Sequence, residues 1–155
     1  MTRVDLPVPR IVLDTNVCLD LFVFRDPLCS HLLAALRSGA VQAVTRKDCR
    51  DEWRRVLHYP QVPVDDQLRP TVSDAFDALI QLLPPEASTV GDDICLPLCA
   101  DPDDQKFLEL AFASQARWLL SKDKELLKLD RRASNTGLFS IWLPQLWSVA
   151  DARSN

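Results

Sequence analysis

The chain has 155 residues, with 18 Lys+Arg against 22 Asp+Glu, a formal net charge of -4, and hydrophobic and charged fractions of 47% and 26%. That length fits one domain with a substantial core, and the balance excludes both a disordered chain and a protein that coats nucleic acid by bulk positive charge. With only 3 Gly, neither G-x-G-x-x-G nor G-x-x-x-x-G-K-[ST] occurs, so the common dinucleotide and P-loop readings fall.

Arg10-Ile-Val-Leu13 is apolar, β-branched and bounded by Pro9, which predicts a buried strand ending at Asp14. Asp26-Pro27 has the form of a helix N-cap with proline at the first helical position. It predicts a helix carrying Leu28, Leu32, Leu33, Ala35 and Leu36, stopped by Gly39. Residues 41–44 read as a second strand, and Thr45 as the cap of a helix over 46–58 that Pro60 ends. Val72, Phe76, Leu79, Ile80 and Leu83 give 65–83 a helical spacing, with Pro70 predicting a kink or two short helices. A loop or short strand is expected over 89–97. Asp101-Pro102 repeats the cap-and-proline signal ahead of a helix to Ala116. Residues 118–121 read as a strand, 126–129 as a short helix, 139–143 as a last strand and 144–149 as a final turn or helix. Strands alternating with helices predict a single α/β domain over 1–155, with its ordered core about 10–150 and a parallel sheet covered on both faces. Ligands gather at the carboxyl ends of such strands.

Asp14 and Asp123 both follow apolar strands. A strand-end aspartate is either a turn residue accepting backbone N–H bonds or a metal ligand or nucleophile. Thr15 and Asn16 after it are expected to fix the loop, and Asn16 to hold a water or phosphate oxygen. Glu52 shares a helical face with Cys49, Trp53 and Val56, and a carboxylate on a buried face needs a cation, either a neighbour such as Arg55 or a metal. Asp101 reads as an N-cap with Asp104 at the capping-box position. Asp104 also lies on the apolar stripe of Leu108 and Ala111, whereas Asp103 is turned to solvent. Asp123 alone would be the cap of the following helix. Taken together, four acids from two strand ends and two helix faces would converge on one cleft. Such crowding calls for cations, and oxygen-only ligands suit Mg²⁺ or Mn²⁺, the ions of phosphoryl chemistry.

Four segments in order carry a family likeness: Ile11-Val-Leu-Asp-Thr-Asn-Val17, Asp51-Glu-Trp-Arg-Arg-Val-Leu57, Asp101-Pro-Asp-Asp-Gln-Lys-Phe-Leu-Glu-Leu-Ala111 and Leu120-Ser-Lys-Asp-Lys-Glu-Leu-Leu127. They resemble the PIN domain, most closely the bacterial branch described as toxin components of toxin–antitoxin systems, and the likeness runs on to Ile141-Trp-Leu-Pro144. The resemblance implies a three-layer α/β/α sandwich and a metal-dependent ribonuclease. It places Asp14, Glu52, Asp104 and Asp123 at the acidic positions that hold one or two Mg²⁺ or Mn²⁺ ions, with Asp101 a further candidate ligand. Ser121 stands where the family often has Thr and keeps the hydroxyl; Lys122 stands at a position often small. An antitoxin protein and pairing with a second copy are the partners the family implies.

An RNA substrate needs positive charge beside the acids. Arg46, Arg50 and Arg54 fall four residues apart on one helical stripe, and Lys122, Lys124, Lys128, Arg131 and Arg132 cluster after Asp123. Trp53 and Trp118 read as core, and Trp142 and Trp147 as cover for a sheet edge or a partner surface. The 5 Cys, with Pro7 and Pro9 where a signal's apolar stretch would lie, read as reduced thiols of a cytoplasmic protein. Only 2 His accompany Cys95 and Cys99, too few for a zinc site. No apolar run approaches the roughly 20 residues of a membrane span. Two rival readings remain at this level. A phosphatase of the haloacid-dehalogenase type would use Asp14 as nucleophile but wants Asp where Asn16 stands, and a non-catalytic binding module would use the same fold.

Overall fold

The computed structural model describes residues 7–153. Its centre is a five-stranded sheet of β1 (Arg10–Leu13), β2 (Gln42–Thr45), β3 (Ile80–Leu82), β4 (Trp118–Leu120) and β5 (Ser140–Trp142). The strand order is β3-β2-β1-β4-β5 and all four pairings are parallel. Successive side chains of a strand face opposite sides. Ile11 and Leu13 therefore enter one core with Ala43, Trp118 and Leu120, and Val12 enters the other with Val44, Leu119 and Ile141. The first core is closed by α1 (Thr15–Phe22), α2 (Ser30–Ser38), α3 (Lys47–Val56) and α4 (Arg69–Leu79). The second is closed by α5 (Gln105–Ala113), α6 (Lys124–Leu127) and α7 (Asp130–Asn135). This is the expected three-layer α/β/α arrangement. A last helix, α8 (Val149–Arg153), packs its Val149 and Ala152 against the first core. No helix among the described residues is long and apolar enough to cross a membrane.

Local chemistry sets most boundaries. Asp26 accepts from the N–H of Leu28 and Pro27 opens the 3-10 segment Pro27–Cys29, which leads into α2; Gly39 ends α2 in the left-handed conformation at φ 80. Three expectations are corrected. The segment after Asp14 is helix α1 and not a loop: its N–H groups start at the Asp14 carboxylate, and its apolar face runs through Val17, Cys18 and Leu21. Residues 65–83 are not one kinked helix. Pro70 lies in the first turn of α4, where a missing N–H costs nothing, and residues 80–82 leave the helix to pair with β2. Finally, the helix begun by Asp101-Pro102 is a 3-10 segment, Pro102–Asp104, followed by α5, which ends at Ala113 and not Ala116 because Gln115 turns to φ 58.

Candidate active site

Parallel pairing sets Leu13 of β1 opposite Leu120 of β4, and the Asp14 N–H donates to the Leu120 carbonyl at 3.0 Å. The chain thus leaves both central strands at one edge, carrying Asp14 and Asp123 with it. Asp14 is buried. Its Oδ1 accepts from the Thr15 N–H at 2.7 Å and its Oδ2 from the Ser121 hydroxyl at 2.6 Å. That hydroxyl, fully buried, also accepts from the Asp123 N–H at 2.9 Å. One side chain therefore locks the two strand-end acids to each other. Asp123 in turn accepts from the Glu125 N–H at 2.9 Å and caps α6.

The other two acids come from α3 and the 3-10 segment ahead of α5. Glu52 accepts from the Thr15 hydroxyl on one oxygen and from Lys106 Nζ at 2.9 Å on the other. Asp104 does not return to cap its own turn. Its carboxyl lies beside that of Asp123, close enough for each charge to disfavour the other, while Asp101 caps the segment, accepting from the Asp103 N–H at 2.9 Å. Asp103 is exposed.

Electrostatics show how close these groups stand. Burial first, then the charge of Asp14, the hydrogen bond with Asp123 and the charges of Asp101 and Asp123 push the Asp104 carboxyl up to about 7. Burial is also the main cause raising Asp14; the Ser121 and Thr15 hydrogen bonds oppose it, and the charges of Glu52 and Asp123 add to it. Both directions follow from holding anions together out of water. Soft donors do not compete: burial raises the neighbouring thiols Cys18, Cys49 and Cys99, which stay neutral. As placed, the acids are not a ready-made ligand shell, since among the described residues no three His, Cys, Asp or Glu side chains group as a metal site. Asn16 contributes a buried Oδ1 without a hydrogen-bond partner.

The cations expected on the α3 stripe are engaged elsewhere. Arg46, with 12% of its side chain exposed, bonds Asp48 at 2.7 and 2.9 Å, Glu109 at 2.8 Å and the Ser88 carbonyl at 3.0 Å. Arg50 pairs with Asp77 at 2.9 Å, and Arg54 approaches the same carboxylate at 3.6 Å. Lys122 pairs at 2.6 Å with Asp20, a buried acid of α1. Two charged partners are not marked by local patterns. Lys106, not Arg55, is the cation beside Glu52; it lies two residues after Asp104, on a helix whose meeting with α3 no local spacing reveals. Asp20 stood in plain view as the one acid inside Val17-Cys-Leu-Asp-Leu-Phe22. A cavity of about 890 Å³ lies away from these acids, against Arg10, Gln42 and Arg117 at the opposite end of the strands.

Comparison with known proteins bears on this geometry. A protein-family model described as "PIN domain" matches residues 10–125, from β1 into α6, a span that holds all the acids above. No curated protein matches the chain in sequence. Among solved structures the chain is similar to VapBC2 from Rickettsia felis, crystallised bound to a DNA fragment from their promoter. The TM-score is 0.54 at 11% identity, over 85% of this chain and 96% of that one. At that identity the likeness shows the fold.

Proposed function

This chain belongs to the PIN domain family, and from that premise we propose that it is a metal-dependent endoribonuclease, hydrolysing RNA phosphodiester bonds with Mg²⁺ or Mn²⁺ in the cytoplasm as the toxin of a toxin–antitoxin pair. The observation that carries the reading is the meeting of four acids at the carboxyl edge of the sheet, crowded enough to push Asp104 up to about 7. The chemistry of the donors suits such an ion: they are carboxylate oxygens with the unpartnered Oδ1 of Asn16, and the nearby thiols stay neutral and do not compete.

Asp14, Asp104 and Asp123 would hold the ion, with Glu52 bordering them and Asp101 outside as a cap. A divalent ion there would offset the carboxylate repulsion and supply Lewis-acid stabilisation of the charge that develops on a phosphodiester. The chain's own residues do the rest. Ser121 fixes the orientation of Asp14 and the start of the Asp123 loop with one hydroxyl. Burial and the neighbouring carboxylates hold the Asp104 carboxyl up to about 7, and a bound cation would favour its ionised form. For the RNA backbone, Lys122 and Arg54 have 43% and 48% of their side chains exposed, and Lys124, Lys128, Arg131 and Arg132 extend the cationic surface past Asp123. Arg46 is a strut between α3 and α5 and not an RNA contact. The VapBC2 assembly supports a partner protein for this chain, which would hold the nuclease inactive until released.

The test is Mn²⁺ titration by calorimetry followed by cleavage of labelled single-stranded RNA. Binding with chelator-sensitive cleavage, lost in Asp14→Asn, is the expected result. Cleavage that survives both chelator and Asp14→Asn, or no ion binding at all, rejects the reading.

A further inference from the structure

Glu52 enters the acidic edge with both of its oxygens already taken. Oε2 accepts from the Thr15 hydroxyl and Oε1 from Lys106 Nζ at 2.9 Å. The pair is largely out of water, with 14% of the Lys106 side chain and 18% of the Glu52 side chain exposed. Lys106 is fixed from two further directions: it also donates to the Asp103 carbonyl, and its Nζ stands 5.2 Å from the Phe107 ring centroid. Among the described residues the remaining three acids have no such partner. Asp14 accepts from Ser121 and Thr15, Asp123 accepts from the Glu125 N–H, and Asp104 lies beside Asp123. Among the described residues the edge therefore has two unlike halves, one of three carboxylates without a paired cation and one of a single carboxylate with a built-in one.

We propose that Lys106 is the resident counter-cation of Glu52, occupying the place of a second divalent ion, so that this centre binds one ion and not two. The proposal rests on the metal-ion reading of the site. Recruiting Glu52 to a metal would strip a mostly buried ammonium of its carboxylate, and a buried charge without its partner is strongly disfavoured. An ion placed beside Glu52 would also sit against the Lys106 ammonium, where like charges repel. Glu52 thus acts as a positioning residue: with Thr15 it holds the Lys106 ammonium against the edge where Asp104 stands two residues away. The arrangement supplies one fixed positive charge whatever the metal concentration.

Calorimetric titration of the whole chain with Mn²⁺ decides the matter, because it counts ions without requiring turnover. The native chain is expected to bind one ion. Lys106→Met, which keeps the stem and removes the charge, is expected to bind two; Lys106→Gln serves as the second such variant if Met does not fold by circular dichroism. Lys106→Arg, which keeps a cation beside Glu52, is expected to return to one. Two ions on the native chain, one ion on the folded neutral variants, or two on Lys106→Arg would each overturn the proposal. No ion on either native or variant chains would remove the metal reading itself and the proposal with it, an outcome distinct from a wrong count.

Discussion

At the scale of single residues, the site trades stability for charge. Asp14 is buried with its carboxyl raised by desolvation and by Glu52 and Asp123. Asp14→Asn is therefore expected to leave the metal-free melting temperature unchanged or higher while abolishing RNA cleavage; a large drop in melting temperature would mark Asp14 as purely structural. Asp104 gives a signed pH effect. Its carboxyl ionises at about 7 in the folded chain against an ordinary 3.8, so the metal-free folded state keeps a proton that the unfolded chain has released. That contribution is fully present below about pH 4 and is lost as pH rises through about 7. In chelator, the melting temperature should fall between about pH 5 and about pH 8, and the part due to Asp104 should vanish in Asp104→Asn. A slope identical in the two proteins would show that the Asp104 carboxyl is not raised in the folded chain. Asp103→Asn, at an exposed position, should alter neither this slope nor Mn²⁺ affinity.

At the scale of elements, α3 and α5 are clamped by charged side chains that local sequence could not assign. Arg46 bridges Asp48, Glu109 and the Ser88 carbonyl, with its guanidinium held firmly charged by them. Arg46→Ala should cost about 2 kcal/mol through lost charged hydrogen bonds, which lowers the melting temperature by roughly 4–8 °C in a chain of this size. An RNA affinity that falls while the melting temperature holds would restore Arg46 to the substrate path. The elements that local patterns did predict are those with local causes: β1 by its apolar run after Pro9, α2 by its Asp26-Pro27 start and Gly39 stop, β4 by Trp118-Leu-Leu120. Those missed were decided at a distance. Residues 80–82 continue the helical spacing of α4 but become β3 because β2 offers a parallel partner. The segment after Asp14 reads locally as a loop because its turn signal and its cap are the same residue. The acids were legible one by one, by face and by strand end. The ammonium between Glu52 and α5 was not, since it belongs to the packing of one helix on another.

At the scale of the whole molecule, the aromatic trio Phe22, Trp53 and Phe76 ties α1, α3 and α4 together: Trp53 stacks on Phe76 at 4.9 Å and Phe22 meets both rings edge-on. Trp53 is fully buried one position after Glu52. Trp53→Ala should cost about 3–5 kcal/mol by cavity formation. It should also weaken Mn²⁺ binding only in so far as the fold melts, which titration well below the mutant's melting temperature would separate. Loss of binding in a mutant still fully folded would place the aromatic cluster in the site's own support.

The parallel order of the sheet has a consequence in time. Ser121 and Asp14 bond across 107 residues of chain, with β1 at the sheet's centre awaiting β4. A nascent chain at about 5–20 residues per second shows its first acid roughly five to twenty seconds before the last. Throughout that interval the ribosome carries a chain in which Asp14 has neither the Ser121 hydroxyl nor Asp123 beside it. The edge thus closes only after the last strand-end acid has been made, a delay set by the length of chain between β1 and β4.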